Sequence, residues 1–551
     1  MPRPMTDPNP RPPAETAAPS ERAEWLAAAA LAAASIVWWV LVSRETWFFA
    51  DSWDFLARRE IGDLSSWLEP HLGHLQIPTF VLHRVLYGAV GLDYYPWYVV
   101  PHATIYALVA LLVWRTARWR GASRGVAFAV FVVFSTLGVA EVVYATVIGP
   151  LVALAGMAVI AAWMDGARVP ARFPRLWLAL ILTVMVASGS TGTIVALAAL
   201  IVVVASPGLR TWWPSFVIPG ALYVTWWATW AADSRMNDVD LSAPAALPVD
   251  AARMLGVALA RLFGVPEAGW PAYAALSAAA LVVLAVRRRL TPAVRLTIVA
   301  LGGLLAAILL IRVTDDELLR ATRYSFMLAT VAIVGFGPAV RLPGGLRRPA
   351  AAALVLLVGW MVVFNGAFRV DRIQRRADMT QDARVGVDAV ATMAAEPMIG
   401  GIRVDRLGDF PYMSVTVGSV VDFVEDGYRP LEVGPEVLAE LRPLLRFGVL
   451  RRGKASGTPV EFDGVDERGC VTVGAGGSLA GRAQAAGTLQ FRPQGPVEAV
   501  LSWSGPFGVV ERRIEVDEPL RVEFPEPVPG ETTVTVSAAG SPLVICGLPA
   551  P

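Results

Sequence analysis

Lysine is almost missing from this chain: among 551 residues and 47 basic side chains, Lys454 is the single lysine, so arginine carries nearly all positive charge. Histidine occurs four times and cysteine twice. Charge of either sign is sparse, 17% of residues against 55% hydrophobic ones, and the formal net charge is +1 with a pI near 7.8. No basic patch interleaved with aromatics stands out, which argues against nucleic acid as a partner. The sequence contains no HExxH, GxSxG, Walker or CxxC pattern, so hydrolase and ATPase readings lose their usual support. No internal repeat is visible. What the chain has in abundance is long apolar runs, and a mean hydropathy of +0.53 lies outside the range of ordinary soluble domains. It reads as a membrane protein.

Residues 1–22 are rich in Pro, Ala and charge and too poor in large apolar side chains to form a core, so a disordered cytoplasmic tail is expected. From Trp25 the run WLAAAALAAASIVWWVLV supplies about 18 apolar or small residues, enough helix to cross a hydrocarbon layer of about 30 Å. A signal peptide is the weaker alternative, because a long tail precedes the run, Trp38 and Trp39 stand at interface depth, and no A-x-A site follows. Ten further candidate spans lie near residues 97–114, 126–143, 148–164, 175–188, 191–206, 215–232, 272–286, 296–312, 323–340 and 350–366, which makes about eleven transmembrane helices within 23–366. The connections holding Arg115, Arg118, Arg120 and Arg124, then Arg168, Arg172 and Arg175, then Arg287, Arg288, Arg289 and Arg295, then Arg341, Arg347 and Arg348 all fall on one side, which should be cytoplasmic. An odd span count then puts the amino terminus inside and everything after about Asn365 outside. The outer connections at 43–96, 232–271 and 312–323 are the longer ones, and chemistry is expected there.

Residues 367–455 read as an extracytoplasmic segment, helical at first and then mixed. Across 456–551, short alternating stretches such as CVTV, TLQFRP, RRIEV and TTVTV are broken by Gly and Pro, which predicts an antiparallel β-sandwich. Cys470 opens its first clear strand and Cys546 lies in its last, so a disulfide clasping the ends is expected on an oxidising side. Two unrelated buried thiols are the alternative.

Within WFFADSWDFL, Asp51 and Asp54 stand three residues apart just after the first apolar run. They could simply cap a helix, Asp51 as N-cap and Asp54 three residues on. At the mouth of a membrane domain, a carboxylate between low-polarity walls could instead act as general base toward a sugar hydroxyl. All four histidines fall between His71 and His102. In EPHLGHLQIP, Glu69, His71 and His74 could converge on a divalent metal, but no further ligand at recognisable spacing completes a site; polar contacts with loop backbone or headgroups are the plainer account. Leu75 to Leu92 suits a helix lying in the interface. In RVTDDELLRATRYSF, Arg320 and Arg323 share a helical face beside Tyr324 and could pair with local acids or lipid phosphate, or bind a substrate phosphate. Glu141 could mark the water boundary or line an acceptor site, and SGSTGT from Ser188 reads as a tight turn between spans.

Taken together, the acidic residues after the first span, the long first outer loop with an interfacial helix, the multi-span core, the Arg323-Tyr324 pair opening a late span and the exported carboxy-terminal region resemble the GT-C integral-membrane glycosyltransferases, in particular bacterial ones that use polyprenyl-phosphate sugars. The resemblance covers residues 25–366 as architecture. It implies a cell-membrane enzyme that moves a sugar from a lipid-phosphate donor to an envelope glycan or other extracytoplasmic acceptor. Asp51 or Asp54 would be the base; Arg320, Arg323, Tyr324, His71, His74 and Glu141 would contact substrate. No cofactor is required, although some members of the class use a divalent metal. Carbohydrate-binding-like modules also occur at the carboxy terminus in that class. The family's acidic pair is often adjacent, whereas Ser52 and Trp53 intervene here, which leaves open which Asp is the base. Two rivals stand beside this reading: a transporter or flippase for a lipid-linked or polar solute, and a non-catalytic glycan-binding scaffold.

Overall fold

The computed structural model describes residues 19–48, 51–57, 59–71, 73–137, 145–166, 174–232, 247–286, 290–312, 322–340, 347–395, 404, 415–439, 441, 450–451, 461–462, 470–483, 488–505, 508–516, 520–523 and 532–546. Among the described residues the chain is mostly helical, with strands only in the carboxy-terminal region. In order, the helices are α1 (Pro19–Val42), α2 (Asp51–Ala57), α3 (Leu64–Leu68), α4 (Ile77–Val90), α5 (Pro96–Trp119), α6 (Arg124–Leu137), α7 (Ile148–Met164) and α8 (Pro174–Ala187). They continue as α9 (Ser190–Ala205), α10 (Val217–Trp226), α11 (Leu247–Phe263), α12 (Trp270–Val286), α13 (Pro292–Arg312), α14 (Thr322–Phe336), α15 (Arg347–Thr392) and α16 (Val417–Glu425).

Three of these, over Glu21–Val42, Pro96–Trp119 and Pro292–Leu309, are long and apolar enough to cross a bilayer, and six further apolar helices are shorter. Leu26, Leu176, Ile218, Leu222 and Leu356 all point large apolar side chains outward. Water would disfavour so much apolar surface and lipid would not, so the protein is a membrane protein. One expected span is irregular. Over residues 215–232 the chain passes from a 3₁₀ stretch holding Pro207 and Pro214, through α10, into a π turn at Trp227–Ala231. The proline rings remove backbone donors from the 3₁₀ stretch that leads into the span, whereas the π turn at its far end contains no proline.

Helix ends sort into two levels. The Arg120 guanidinium donates to Asp165 at 2.8 Å and to the carbonyls of Val334 and Gly335 at 2.8 and 2.9 Å. This one side chain therefore gathers the carboxy-terminal ends of α5, α7 and α14 and satisfies carbonyls that a helix end leaves open. Arg115 pairs with Glu21 and Arg124 with Glu24, which draws the start of α1 to the same end. The described residues between the far end of α1 and the start of α5 lie at the opposite end. The predicted turn at SGSTGT is real: α8 stops at Ala187, Gly189 takes φ +128°, and α9 begins at Ser190.

Helix α15 is one continuous rod of 46 residues, about 69 Å at 1.5 Å per residue. It runs unbroken through the 366/367 boundary expected between the membrane domain and the extracytoplasmic segment. Its first half exposes Val355, Leu356 and Val363, while its second half packs on the segment after α1.

The strands are β1 (Leu450–Arg451), β2 (Glu461–Phe462), β3 (Cys470–Val473), β4 (Ser478–Ala483), β5 (Thr488–Pro493), β6 (Val497–Gly505), β7 (Gly508–Val516), β8 (Leu520–Glu523), β9 (Thr532–Gly540) and β10 (Leu543–Cys546). They form two five-stranded antiparallel sheets, ordered β1-β8-β5-β10-β3 and β2-β4-β9-β6-β7. Alternation places Val497 and Ala499 on β6, and Val536 and Ala538 on β9, on a buried face. Cys470 and Cys546 are register partners of β3 and β10 and are disulfide-bonded, so the free-thiol alternative falls.

Candidate active site

The segment WFFADSWDFL folds around its aromatics. Trp47, Phe48 and Trp53 are fully buried; Trp47 and Trp53 meet edge-on with ring centroids 5.1 Å apart, and Phe48 lies tilted against Trp53 at 5.4 Å. Phe48 also packs on Tyr95 and Tyr98 of the α5 entry, at 4.9 and 4.8 Å. A seven-residue helix is too short to persist alone, so burial of Ser52, Trp53, Phe55 and Leu56 is what holds α2 in place. Asp51 and Asp54, one turn apart, then share the remaining face.

His71 reaches that face. Its Nδ1 lies 2.7 Å from Asp54 Oδ2, and its Nε2 lies 3.6 Å from Asp51 Oδ1, an ion pair longer than a hydrogen bond. Arg59 Nη2 stands 3.5 Å from the same Asp54 oxygen. Arg59 and His71 are buried, with side chains 1% and 4% exposed, whereas Asp54 and Asp51 keep 15% and 21%. The site is thus a pair of partly open carboxylates backed by two buried cations. The Phe55 ring lies 4.6 Å from the His71 ring and 5.4 Å from the Arg59 guanidinium carbon, which supplies an apolar wall.

A tight turn sets the position of His71. The His71 N–H donates to the His74 carbonyl and the His74 N–H to the His71 carbonyl, both at 2.9 Å, and Gly73 takes φ +74°, a left-handed conformation glycine adopts without strain. Further support comes from Trp226, whose Nε1 donates to the Leu68 carbonyl at 2.7 Å, and from Arg84, whose Nη1 donates to the Leu56 carbonyl at the end of α2 at 2.7 Å.

Burial, the largest influence on His71, disfavours its charged form. The two carboxylates outweigh burial by polar contact and by charge, and raise its pKa to about 8 from the ordinary 6.5. At neutral pH the site therefore holds an imidazolium between two aspartates.

Both aspartates stand in the first turn of α2, as the capping account expects, and they reach further than that helix. Asp51 is the first helical residue of α2, and Asp54 is drawn across to His71 and Arg59. Asp63 also caps a helix in this loop: it accepts from the Ser65 N–H at 2.9 Å at the start of α3, and the Ser65 hydrogen bonds hold its pKa below the usual range. Glu69, His71 and His74 do not form a metal-holding group: His71 turns both ring nitrogens to Asp51 and Asp54, and no such group of three or more His, Cys, Asp or Glu occurs among the described residues. A helix does form within the stretch Leu75–Leu92: it is α4, Ile77–Val90.

Of the other expected substrate contacts, Glu141 and Arg320 lie outside the described residues. Arg323 is the second residue of α14, and Tyr324 packs partly buried against the main apolar cluster. Arg59 was not singled out in the sequence, although its place just beyond α2 in LARRE was the available signal. Set against known protein families, curated proteins and solved structures, the chain has no match.

Proposed function

We propose that this protein is an integral-membrane glycosyltransferase of the GT-C type, which moves a sugar from a polyprenyl-phosphate donor to an envelope glycan or other extracytoplasmic acceptor. The observation that carries the reading is the pair Asp51 and Asp54 on one face of α2, held by His71 at the end of the molecule opposite the Arg120 junction. Asp51 fits the base better than Asp54. It is the more exposed carboxylate, whereas one Asp54 oxygen is engaged by both His71 and Arg59. In the reaction the acceptor hydroxyl gives its proton to the Asp51 carboxylate as its oxygen bonds to the anomeric carbon. The bond from that carbon to the donor phosphate breaks, and its electron pair leaves on the polyprenyl phosphate. Arg323, with Arg320, would stabilise the departing phosphate, and Tyr324, His74 and Glu141 would line the donor and acceptor sites.

In this reading α6, α7, α8, α9, α10, α12, α14 and the first half of α15 join α1, α5 and α13 in a bundle of about eleven spans in the cell membrane, with the Arg120 end cytoplasmic. The two sheets pack as an extracytoplasmic β-sandwich, a placement that the disulfide favours. The test is the sugar and linkage composition of envelope glycans in a deletion strain complemented, at matched membrane levels, with wild type, Asp51→Asn or Asp54→Asn. Loss of one glycan that Asp51→Asn fails to restore is the expected result. Full restoration by both variants would overturn the transferase reading in favour of a transporter or scaffold.

A further inference from the structure

The wall behind the acidic helix is partly built from residues more than three hundred positions away in the chain. Thr380 Oγ1 of α15 accepts the Trp47 N–H at 2.9 Å, Gln381 Nε2 donates to the Glu45 carbonyl at 2.7 Å, and the Arg384 guanidinium carbon lies 5.4 Å from the Trp47 ring centre. From α16, the Phe423 ring meets Trp53 at 6.0 Å and Tyr87 at 5.6 Å, and the Tyr87 hydroxyl donates to Asp426 at 2.7 Å. The two distant pieces are tied to each other, since Asp388 of α15 accepts from the Tyr428 hydroxyl and pairs with Arg384 at 3.4 Å. Trp53 sits between Asp51 and Asp54 in sequence and is fully buried on the opposite side of α2. A shift of Trp53 therefore moves both carboxylates relative to His71, which the separate turn at His71–His74 holds.

We propose that the second half of α15, through Thr380, Gln381 and Arg384, and α16 with Asp426 and Tyr428 just beyond it form a clamp that sets the position of Asp51 and Asp54 against His71, with Phe423 and Asp426 as positioning residues for the reaction proposed above. The unit that performs the chemistry then extends through α16, and the segment following the last apolar run belongs to the site. This inference rests on the functional reading of Asp51 and Asp54, yet its geometry can be tested without a substrate.

The experiment uses the full chain in lipid nanodiscs with 15N-labelled histidine and follows the imidazole titration of His71. The variants are Phe423→Ala, Phe423→Leu and Asp426→Asn, with the lipid-facing Leu356→Ala as control, 74% exposed on α15. Phe423→Ala should lower the His71 midpoint from about 8 by about half a pH unit or more, Phe423→Leu should restore it, and Asp426→Asn should move it the same way as Phe423→Ala. Leu356→Ala should leave it in place. Variants that lower the melting temperature but leave the His71 midpoint where it is in wild type would overturn the clamp and make these contacts merely structural. The glycan assay reads the other question separately. If Asp51→Asn and Asp54→Asn both restore the glycan while Phe423→Ala still moves the His71 midpoint, the clamp stands and the transferase reading fails.

Discussion

Replacing Asp54 with Asn is the sharpest probe of how the site is held. The change removes one charge and keeps the shape of a side chain that lies 2.7 Å from the His71 Nδ1. His71 is buried, and burial by itself disfavours the imidazolium; only the carboxylates raise its pKa to about 8. The interval between that value and the ordinary 6.5 corresponds to about 2 kcal/mol of preference for the charged form in the folded protein. Because the folded value is the higher one, this stabilisation is fully present below about pH 6.5 and is lost as pH rises through about 8. With Asp54 neutral, Asp51 remains as the opposite charge at 3.6 Å, and the midpoint should fall by about one pH unit or more. Two readouts check this. Nitrogen chemical shifts of the four histidines, assigned by single substitution, give the His71 midpoint directly. Melting temperature between pH 6 and 9 should fall across the upper part of that range in wild type and change less in Asp54→Asn. A His71 midpoint near 8 in both proteins would show that Asp54 does not hold the imidazolium. A wild-type midpoint at or below 6.5 would show that burial wins, and the site would then be neutral at its centre.

Three further outcomes are expected. Arg59→Met should destabilise the membrane domain by about 3 kcal/mol, because it removes a buried partner of Asp54, although His71 still neutralises that carboxylate; thermal unfolding in detergent measures it. Replacing Cys470 and Cys546 with Ser opens a link between residues 76 apart, for which loop-closure entropy suggests a loss of about 4.5 kcal/mol at most; proteolysis should then cut the sheets more readily while the helices resist as before. Gly149→Ala would place a methyl 2.0 Å from the Ser188 carbonyl oxygen and should cost about 1–3 kcal/mol by forcing α7 away from the α8–α9 turn, whereas Gly88→Ala, with nothing within 4 Å, should be neutral or stabilising by up to about 1 kcal/mol in the same melting assay.

Much of the architecture could be read along the chain because it depends on local pattern. Apolar runs of helix length mark α1, α5 and α13, Gly189 between two such runs marks a turn, and period-two alternation marks the strands of the two sheets. The spacing of Asp51 and Asp54 already suggested the start of a helix, and the positions of Cys470 and Cys546 in the first clear and last strands already suggested their bond. These are properties of neighbouring residues and of the solvent each segment prefers, so no knowledge of the chain's path was needed.

The partners of those residues were another matter. Whether His71 would turn toward Glu69 and His74 or toward Asp51 and Asp54 depends on how the loop after α2 doubles back, and the Gly73 turn together with the packing of Phe55 decides it. Arg59 looked like one arginine among many until the fold buried it against Asp54. Helix α15 runs straight through the point where its side chains change from apolar to polar, because backbone hydrogen bonding is indifferent to that change while composition is not. Phe423 meets Trp53 only through tertiary packing. The sequence by itself determined that the chain is a membrane protein, which stretches form strands, and that two carboxylates stand at the start of one helix. Only the tertiary structure decided which cations those carboxylates meet and which distant helix holds them, since contacts between remote residues follow from the path of the whole chain and leave no local pattern.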